Sequence, residues 1–201
     1  MSDPNFLIET PRLYISYFVA EDDKHCDFLV ELYNTPEFIA SIGGNPTSIT
    51  TRAAARERLA GRFRDEHARN GYGTYLVSLK APDSPAPNLA SATPIGTVSL
   101  MRGEPPNCYT APDLGFAILP TYMRKGYAKE AAQALMDYVE REQGVKDVVG
   151  LFDPKNEASC AVFKSLGFDD RGLRELKAFG GVLGAVWTKP GMAEDLSVYG
   201  F

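Results

Sequence analysis

Tyr122-Met123-Arg124-Lys125-Gly126-Tyr127-Ala128 sits between a nearly all-apolar run at residues 114–119 and a long stretch with helical periodicity. The apolar run reads as a strand, and Pro120 ends it because proline cannot donate to a ladder. Ala128, Ala131, Ala132, Leu135, Met136 and Val139 mark one helical face, and Gly144 suits the helix end. A strand this apolar is expected to be central and buried on both faces. The turn between the two is chemically specific. A helix N-terminus leaves backbone N–H groups unpaired, and with the helix dipole they form an anion site of the kind that cradles cofactor phosphates. Gly126 and Ala128 allow close approach, and Arg124 and Lys125 add charge that reaches phosphate oxygens.

Working outward, residues 13–18 alternate and form the first predicted strand. Glu21-Asp22-Asp23 supplies acid at a helix start, and Phe28, Leu29, Leu32 and Tyr33 recur at helical spacing until Pro36 ends that helix. Thr50 or Thr51 caps a second, Arg- and Glu-rich helix over residues 52–70, closed by Gly71 and read as a solvated face. Residues 72–80 and 95–101 are strands, with Gly96 marking close packing. The proline-bearing segments 81–93 and 103–112 are loops. Beyond the central helix come a strand at 148–152, a helix at 156–166 closed by Gly167, and a strand from Phe168. A hairpin turns at Gly180-Gly181 between residues 175–179 and 182–187. The order is β-α-α-β-β-β-α-β-α-β-β, an α/β (α+β) class with a mixed central sheet. It has no internal repeat and makes one domain over residues 1–201, with a core of about 6–190.

The 201 residues, 44% hydrophobic and 23% charged, suffice for one globular core. The net charge of −5 carries no basic excess, which argues against a nucleic-acid partner. Cys26, Cys108 and Cys160 are sparse and odd in number, as in a reduced intracellular protein. His25 and His67 match no zinc-site spacing, so no metal is called for, and both read as surface residues. No leader and no run near the ~20 apolar residues of a membrane span appears, which predicts a cytoplasmic protein.

In four segments the chain resembles the GNAT superfamily of N-acetyltransferases, in its RimJ/RimL-like branch. Met123-Arg124-Lys125-Gly126-Tyr127-Ala128 matches the Gln/Arg-x-x-Gly-x-Gly/Ala signature. Ile8-Glu9-Thr10-Pro11-Arg12-Leu13, Asn156-Glu157-Ala158-Ser159 and Lys164-Ser165-Leu166-Gly167-Phe168 match other runs of the branch, in the right order. Met123 replaces the usual Gln or Arg, and Arg124 stands where the family commonly has glycine. Backbone N–H donors survive both changes. Phe163 stands where many members carry a proton-donating tyrosine.

The resemblance implies the GNAT fold, with a splay between the fourth and fifth strands. It also implies direct attack of an amine on acetyl-CoA, the co-substrate, with no acyl-enzyme. The cofactor would contact Phe116, Ile118, residues 123–128, Asn156, Ser159 and Phe163. The backbone N–H of Ile118 would bind the tetrahedral oxyanion. Asp113 is the candidate base, or else a solvated loop-end carboxylate, and Glu104 is a weaker candidate. Asn156 is either a pantetheine contact, the N-cap of its helix, or both. Cys108 reads as a loop thiol, and Tyr75 and Trp187 as core or pocket-wall aromatics. The acceptor is a small amine or a peptide N-terminus, held among the first two helices and the last hairpin. A homodimer and a non-catalytic acyl-CoA-binding module stay open. A dinucleotide-binding reading fails, because Gly71-Tyr72-Gly73 lacks its third glycine.

Overall fold

The computed structural model describes residues 6–81 and 89–201; most of the predicted loop at 81–93, with Pro82, Pro85 and Pro87, lies outside them, as does the start of the chain. The strands are β1 (Leu7–Glu9), β2 (Leu13–Ser16), β3 (Thr74–Leu79), β4 (Thr93–Met101), β5 (Asp113–Ile118), β6 (Val149–Phe152), β7 (Asp169–Leu176) and β8 (Val182–Thr188). They form one sheet in the order β1-β2-β3-β4-β5-β6-β8-β7, antiparallel except at β5–β6. The helices are α1 (Asp23–Tyr33), α2 (Pro36–Ser41), α3 (Arg52–Arg58), α4 (Arg64–Asn70), α5 (Tyr127–Gln143) and α6 (Glu157–Ser165).

Three buried clusters among the described residues pack on the sheet, two of them under helices and the third joining Val149, Leu151 and Val186 to Met192, Leu196 and Tyr199 of the C-terminal segment. On one face α5 buries Ala131, Ala132, Leu135, Met136 and Val139 against Ile15, Val77 and Val98. On the other, Leu29 and Leu32 of α1 meet Ala55, Leu59 and Phe63 beneath Leu76 and Leu119. Each fully buried large side chain contributes roughly 1.5–3 kcal/mol. The β2–β5 part of the sheet is thus held between two helical layers. Gly96 of β4 is forced by packing, because a Cβ there would collide with the Ala117 carbonyl oxygen and the Ile118 side chain.

Several expectations need correcting. β1 is an additional short strand. Pro36 opens α2 instead of only ending α1: Thr35 caps it, accepting from Phe38 N–H at 3.2 Å, and proline at a first helical position loses no bond. The predicted helix at 52–70 is continuous, but a π-helical turn, Leu59–Phe63, separates α3 from α4. The last hairpin turns through a 3₁₀ segment, Lys177–Phe179, before the left-handed Gly180 and Gly181. His67 is not on the surface. It is 5% exposed, donates from Nε2 to the Thr74 carbonyl at 2.9 Å, and lies edge-on to Tyr17 and Tyr75. His25 is partly buried, and its Nδ1 accepts from Val19 N–H at 3.0 Å.

β5 also departs from expectation. Leu114 and Ile118 are buried, but Gly115, Phe116 and Ala117 are partly open. The cause is the parting of the sheet: β5 and β6 keep a single register pair, Asp113 with Val149, and then diverge.

Candidate active site

The parting strands leave a fork whose walls are β5 and β6. Val149 N–H still bonds the Pro112 carbonyl at 3.0 Å. The next acceptor of a continued parallel ladder would be the Leu114 carbonyl. Instead Leu151 N–H goes to the Asp113 carboxylate at 2.9 Å. Asp113 therefore sits in the crotch of the fork and satisfies the first backbone donor that the divergence releases. Its burial pushes the carboxyl well above the usual carboxylate range, more than the one bond from Leu151 offsets.

Strand alternation fixes what β5 offers to the gap. Leu119 N–H bonds the Ile95 carbonyl at 2.8 Å, and Ile118 is registered with Gly96. In an antiparallel ladder such bonds fall on every second residue. The N–H groups of 115, 117 and 119 therefore face β4, and those of Phe116 and Ile118 face the fork.

Above the fork stands the turn. A 3₁₀ segment, Pro120–Tyr122, leads to Met123 in extended conformation. Arg124 (φ 60°) and Gly126 (φ 81°) are both left-handed, and Arg124 is the one non-glycine with positive φ among the described residues. This is the position where the resembling family commonly has glycine, and a side chain there costs ~1–2 kcal/mol. The first bond of α5 runs from Glu130 N–H to the Gly126 carbonyl at 3.1 Å. Tyr127, Ala128 and Lys129 are thus left with unpaired N–H groups, and no side chain caps this end. Lys125 Nζ donates to the Thr121 carbonyl at 3.0 Å. Met123, Arg124, Lys125 and Gly126 are all exposed, so the donors open outward.

A brace holds this turn that residue reading missed. Arg12 donates to the Lys125 carbonyl at 2.9 Å and pairs with Glu130 at 2.6 Å, while Thr10 Oγ1 donates to the same carboxylate at 2.6 Å. The Arg12 guanidinium also lies 4.6 Å from the Tyr127 ring centroid. Burial pulls the Glu130 carboxyl up, but the bonds from Thr10 and Arg12 outweigh it and leave it lowered. The signal was present: Thr10 and Arg12 belong to the matched N-terminal run, and Glu130 falls in the first helical turn.

On the α5–α6 side, Asn156 caps α6 by accepting from Ser159 N–H at 3.0 Å. Both residues stay partly exposed. Phe163 is 2% exposed and is enclosed by Phe116, Phe152 and Phe168, with its ring filling the space above Gly150. The expected cofactor contact at Phe163 is not offered by this arrangement, because the ring is a wall of the core. Tyr75 and Trp187 are core residues.

On the opposite face the crotch opens into a cavity of ≈ 610 Å³. Asp113 and Leu151 line it together with Arg62, Glu66, Arg69 and Arg102, and the 178–179 bend of the last hairpin closes one side. The Arg- and Glu-rich helix is therefore not simply a solvated face: Glu66 is 4% exposed. Its burial raises its carboxyl, with Arg62 and Arg69 pulling the other way. Spacing could have revealed it, since positions 62, 66 and 69 share one helical face. Glu104 also borders the cavity but is held in an exposed pair with Arg69 at 2.8 Å. Cys108 is partly buried in its loop.

The fork thus has an uncapped, donor-bearing helix start above one face and a cavity beneath the other. Residues 12–169 match the family described as the acetyltransferase (GNAT) domain, and the chain belongs to that family. A curated relative, the uncharacterised N-acetyltransferase YnaD of Bacillus subtilis (strain 168), is 35% identical over 61 residues, 30% of this chain. The match spans about a third of that relative, 36% of its length. An acetyltransferase from Agrobacterium tumefaciens str. C58 superposes with TM-score 0.68 at 18% identity, covering 94% of this chain and 96% of its own. RimL, a ribosomal L7/L12 alpha-N-protein acetyltransferase in complex with coenzyme A, gives 0.67 at 19% identity over 92% and 97%. Among the described residues, no helix is long and apolar enough to cross a membrane.

Proposed function

We propose that this chain transfers an acetyl group from acetyl-CoA to a primary amine by direct attack. The observation that carries the reading is the fork: it directs the Phe116 and Ile118 N–H groups into a gap that begins at the Asp113 carboxylate. The cofactor's phosphates take the free N–H groups of residues 124–129, with the charges of Arg124 and Lys125 nearby. Its pantetheine arm runs down the gap past Ile118 and the cap at Asn156 and Ser159. The Phe116 N–H, nearer Asp113 than the expected donor Ile118, which stands five residues or ~16 Å up the strand from it, donates to the oxygen that becomes negative as the amine adds.

The amine enters from the cavity side and must be neutral to attack. Asp113 accepts its proton, and a carboxyl raised by burial is a better base than an ordinary one. The new C–N bond forms, the C–S bond breaks, and the proton passes to solvent. A thiol near pKa ~8.5 leaves readily as thiolate, so the reaction needs no acid at Phe163. Three free thiols suit a reducing cytoplasm, and the acceptor is a small amine or a peptide N-terminus. A homodimer is compatible with this reading.

The test is calorimetric titration with acetyl-CoA alongside CoA release on a panel of amines. Binding that Gly126→Glu abolishes, together with amine-dependent release, is expected. Tight binding with no turnover on any amine would instead make the chain a non-catalytic acyl-CoA-binding module.

A further inference from the structure

The cavity beneath the fork sorts its charges by depth. Its two inner carboxylates are Asp113, in the crotch, and Glu66, which is 4% exposed on α4. Its arginines, Arg62, Arg69 and Arg102, are exposed, as are two further lining carboxylates, Asp65, paired with Arg64, and Glu104, paired with Arg69. These groups are not mutually satisfied. Among the described residues only Arg69 has its guanidinium in an ion pair, with Glu104. Arg102 reaches the Tyr109 carbonyl through Nε at 3.4 Å and lies against the Tyr72 hydroxyl, neutral contacts that leave its charge unpaired. Arg62 has no ion pair among the described residues, although it lies close enough to Glu66 to oppose the cost of burying that carboxylate. No described residue donates a hydrogen bond to Glu66. A buried carboxylate without a donor is expensive to keep, and Glu66 faces the same cavity as Asp113, whose one donor is the Leu151 N–H.

The volume, ≈ 610 Å³, lies in the range that encloses small molecules, roughly 300–1,000 Å³. An occupant that satisfies the walls must carry an amine inward and an anion outward. A simple alkylamine would leave the arginine donors facing nothing. A polycation would meet the unpaired charges of Arg62 and Arg102, since Asp65 and Glu104 are already held by Arg64 and Arg69. Resting on the acetyl-transfer reading of the same site, we infer that the acceptor is a primary amine bearing a carboxylate or phosphate a few bonds away. Its amine is held between Asp113 and Glu66, and its anion is read by Arg62 and Arg102. Glu66 is in this account a specificity residue, and Asp113 the one group that takes the proton.

Matched acceptors test this. β-Alanine and β-alaninamide share an amine and differ in charge, as do O-phosphoethanolamine and ethanolamine. Each is titrated by calorimetry into CoA-saturated protein, and each is offered with acetyl-CoA for initial rates. The expected result is that at least one anionic member binds tenfold or more tighter than its neutral counterpart, and which one does tells carboxylate from phosphate. In an Arg62→Gln/Arg102→Gln variant that preference should fall to within about twofold of unity. Both arginines are exposed, and an unchanged melting temperature confirms the fold. Glu66→Gln should weaken all four without altering the anionic preference. Equal binding of charged and neutral members, binding of none, or a preference that survives the double variant overturns the inference. Preferential binding without acetylation upholds the recognition and refutes the transfer. Indifferent acetylation of all four does the reverse.

Discussion

Replacing Asp113 by asparagine separates its chemical role from its structural one. The Asp113 carboxylate accepts Leu151 N–H at 2.9 Å, and an asparagine side-chain oxygen in the same place accepts it equally. The crotch of the fork should therefore keep its shape, while the side chain loses its ability to take a proton. A general base contributes ~10²–10⁴-fold, so kcat/KM should fall by that factor, about 2.7–5.4 kcal/mol at 1.36 kcal/mol per tenfold. Stability should move the other way. Burial raises the Asp113 carboxyl well above its usual range, so the folded chain holds that proton more tightly than the unfolded chain does. Stability is then lost as pH rises from the unfolded value, about 3.9, through the raised folded one, and the penalty persists above it. The Asp113→Asn variant would carry no such penalty. It should melt higher than the parent at pH 7.5, with the gap closing below the unfolded pKa. CoA release measured against pH should show the parent's acid limb above the ordinary carboxylate range, and no such limb in the variant's residual rate. An unaltered rate and profile refute the base. A lower melting temperature at pH 7.5 refutes the assignment of Asp113 as a carboxylate held at a cost to the fold.

Three further perturbations probe the rest of the site. Arg124→Gly relieves ~1–2 kcal/mol of left-handed strain against ~0.5–1 kcal/mol of added chain entropy. The expected outcome is a melting temperature raised by up to a few degrees, with KM for acetyl-CoA raised by loss of the charge. Glu130→Gln breaks the pair with Arg12, which is 46% exposed, so thermal scans should register under ~1 kcal/mol. Calorimetry should show several-fold weaker acetyl-CoA binding as the turn loosens. Phe163→Tyr places a hydroxyl in a site 2% exposed and walled by Gly150, Phe152 and Phe168. An unpartnered hydroxyl costs ~1–3 kcal/mol, so the variant should melt several degrees lower with kcat unchanged. A faster kcat would show that protonation of the leaving thiolate limits the reaction.

What could be read from the chain divides according to whether the cause is local. The turn before α5 was legible because its determinants are neighbours: proline ends β5, Gly126 takes a left-handed φ, and an apolar face begins at once. Gly71, Gly144 and Gly167 likewise all close helices with positive φ. Pro36 misled only because the proline was read without Thr35, whose side chain makes it a helix start. The helix at 52–70 is present, but its reading as a solvated face failed for a subtler reason. Leu59, Phe63 and His67 lie four apart on one buried face, so the spacing already placed His67 inward. Local charge density suggested solvent instead. The π-helical turn adds a residue to that helix's phase, and no propensity scale signals where it falls. What stayed invisible depends on partners far away in sequence. β5 is as apolar as a central strand should be, yet it is open because β6 leaves it after one pair. The same departure releases the N–H of Leu151, and only then does Asp113, 38 residues earlier, gain its place at the crotch. A carboxylate at a strand start carries no mark of that position. The sheet must part before that carboxylate can stand where the proposed base is needed, so the proposed chemistry rests on the part of the fold that sequence hides best.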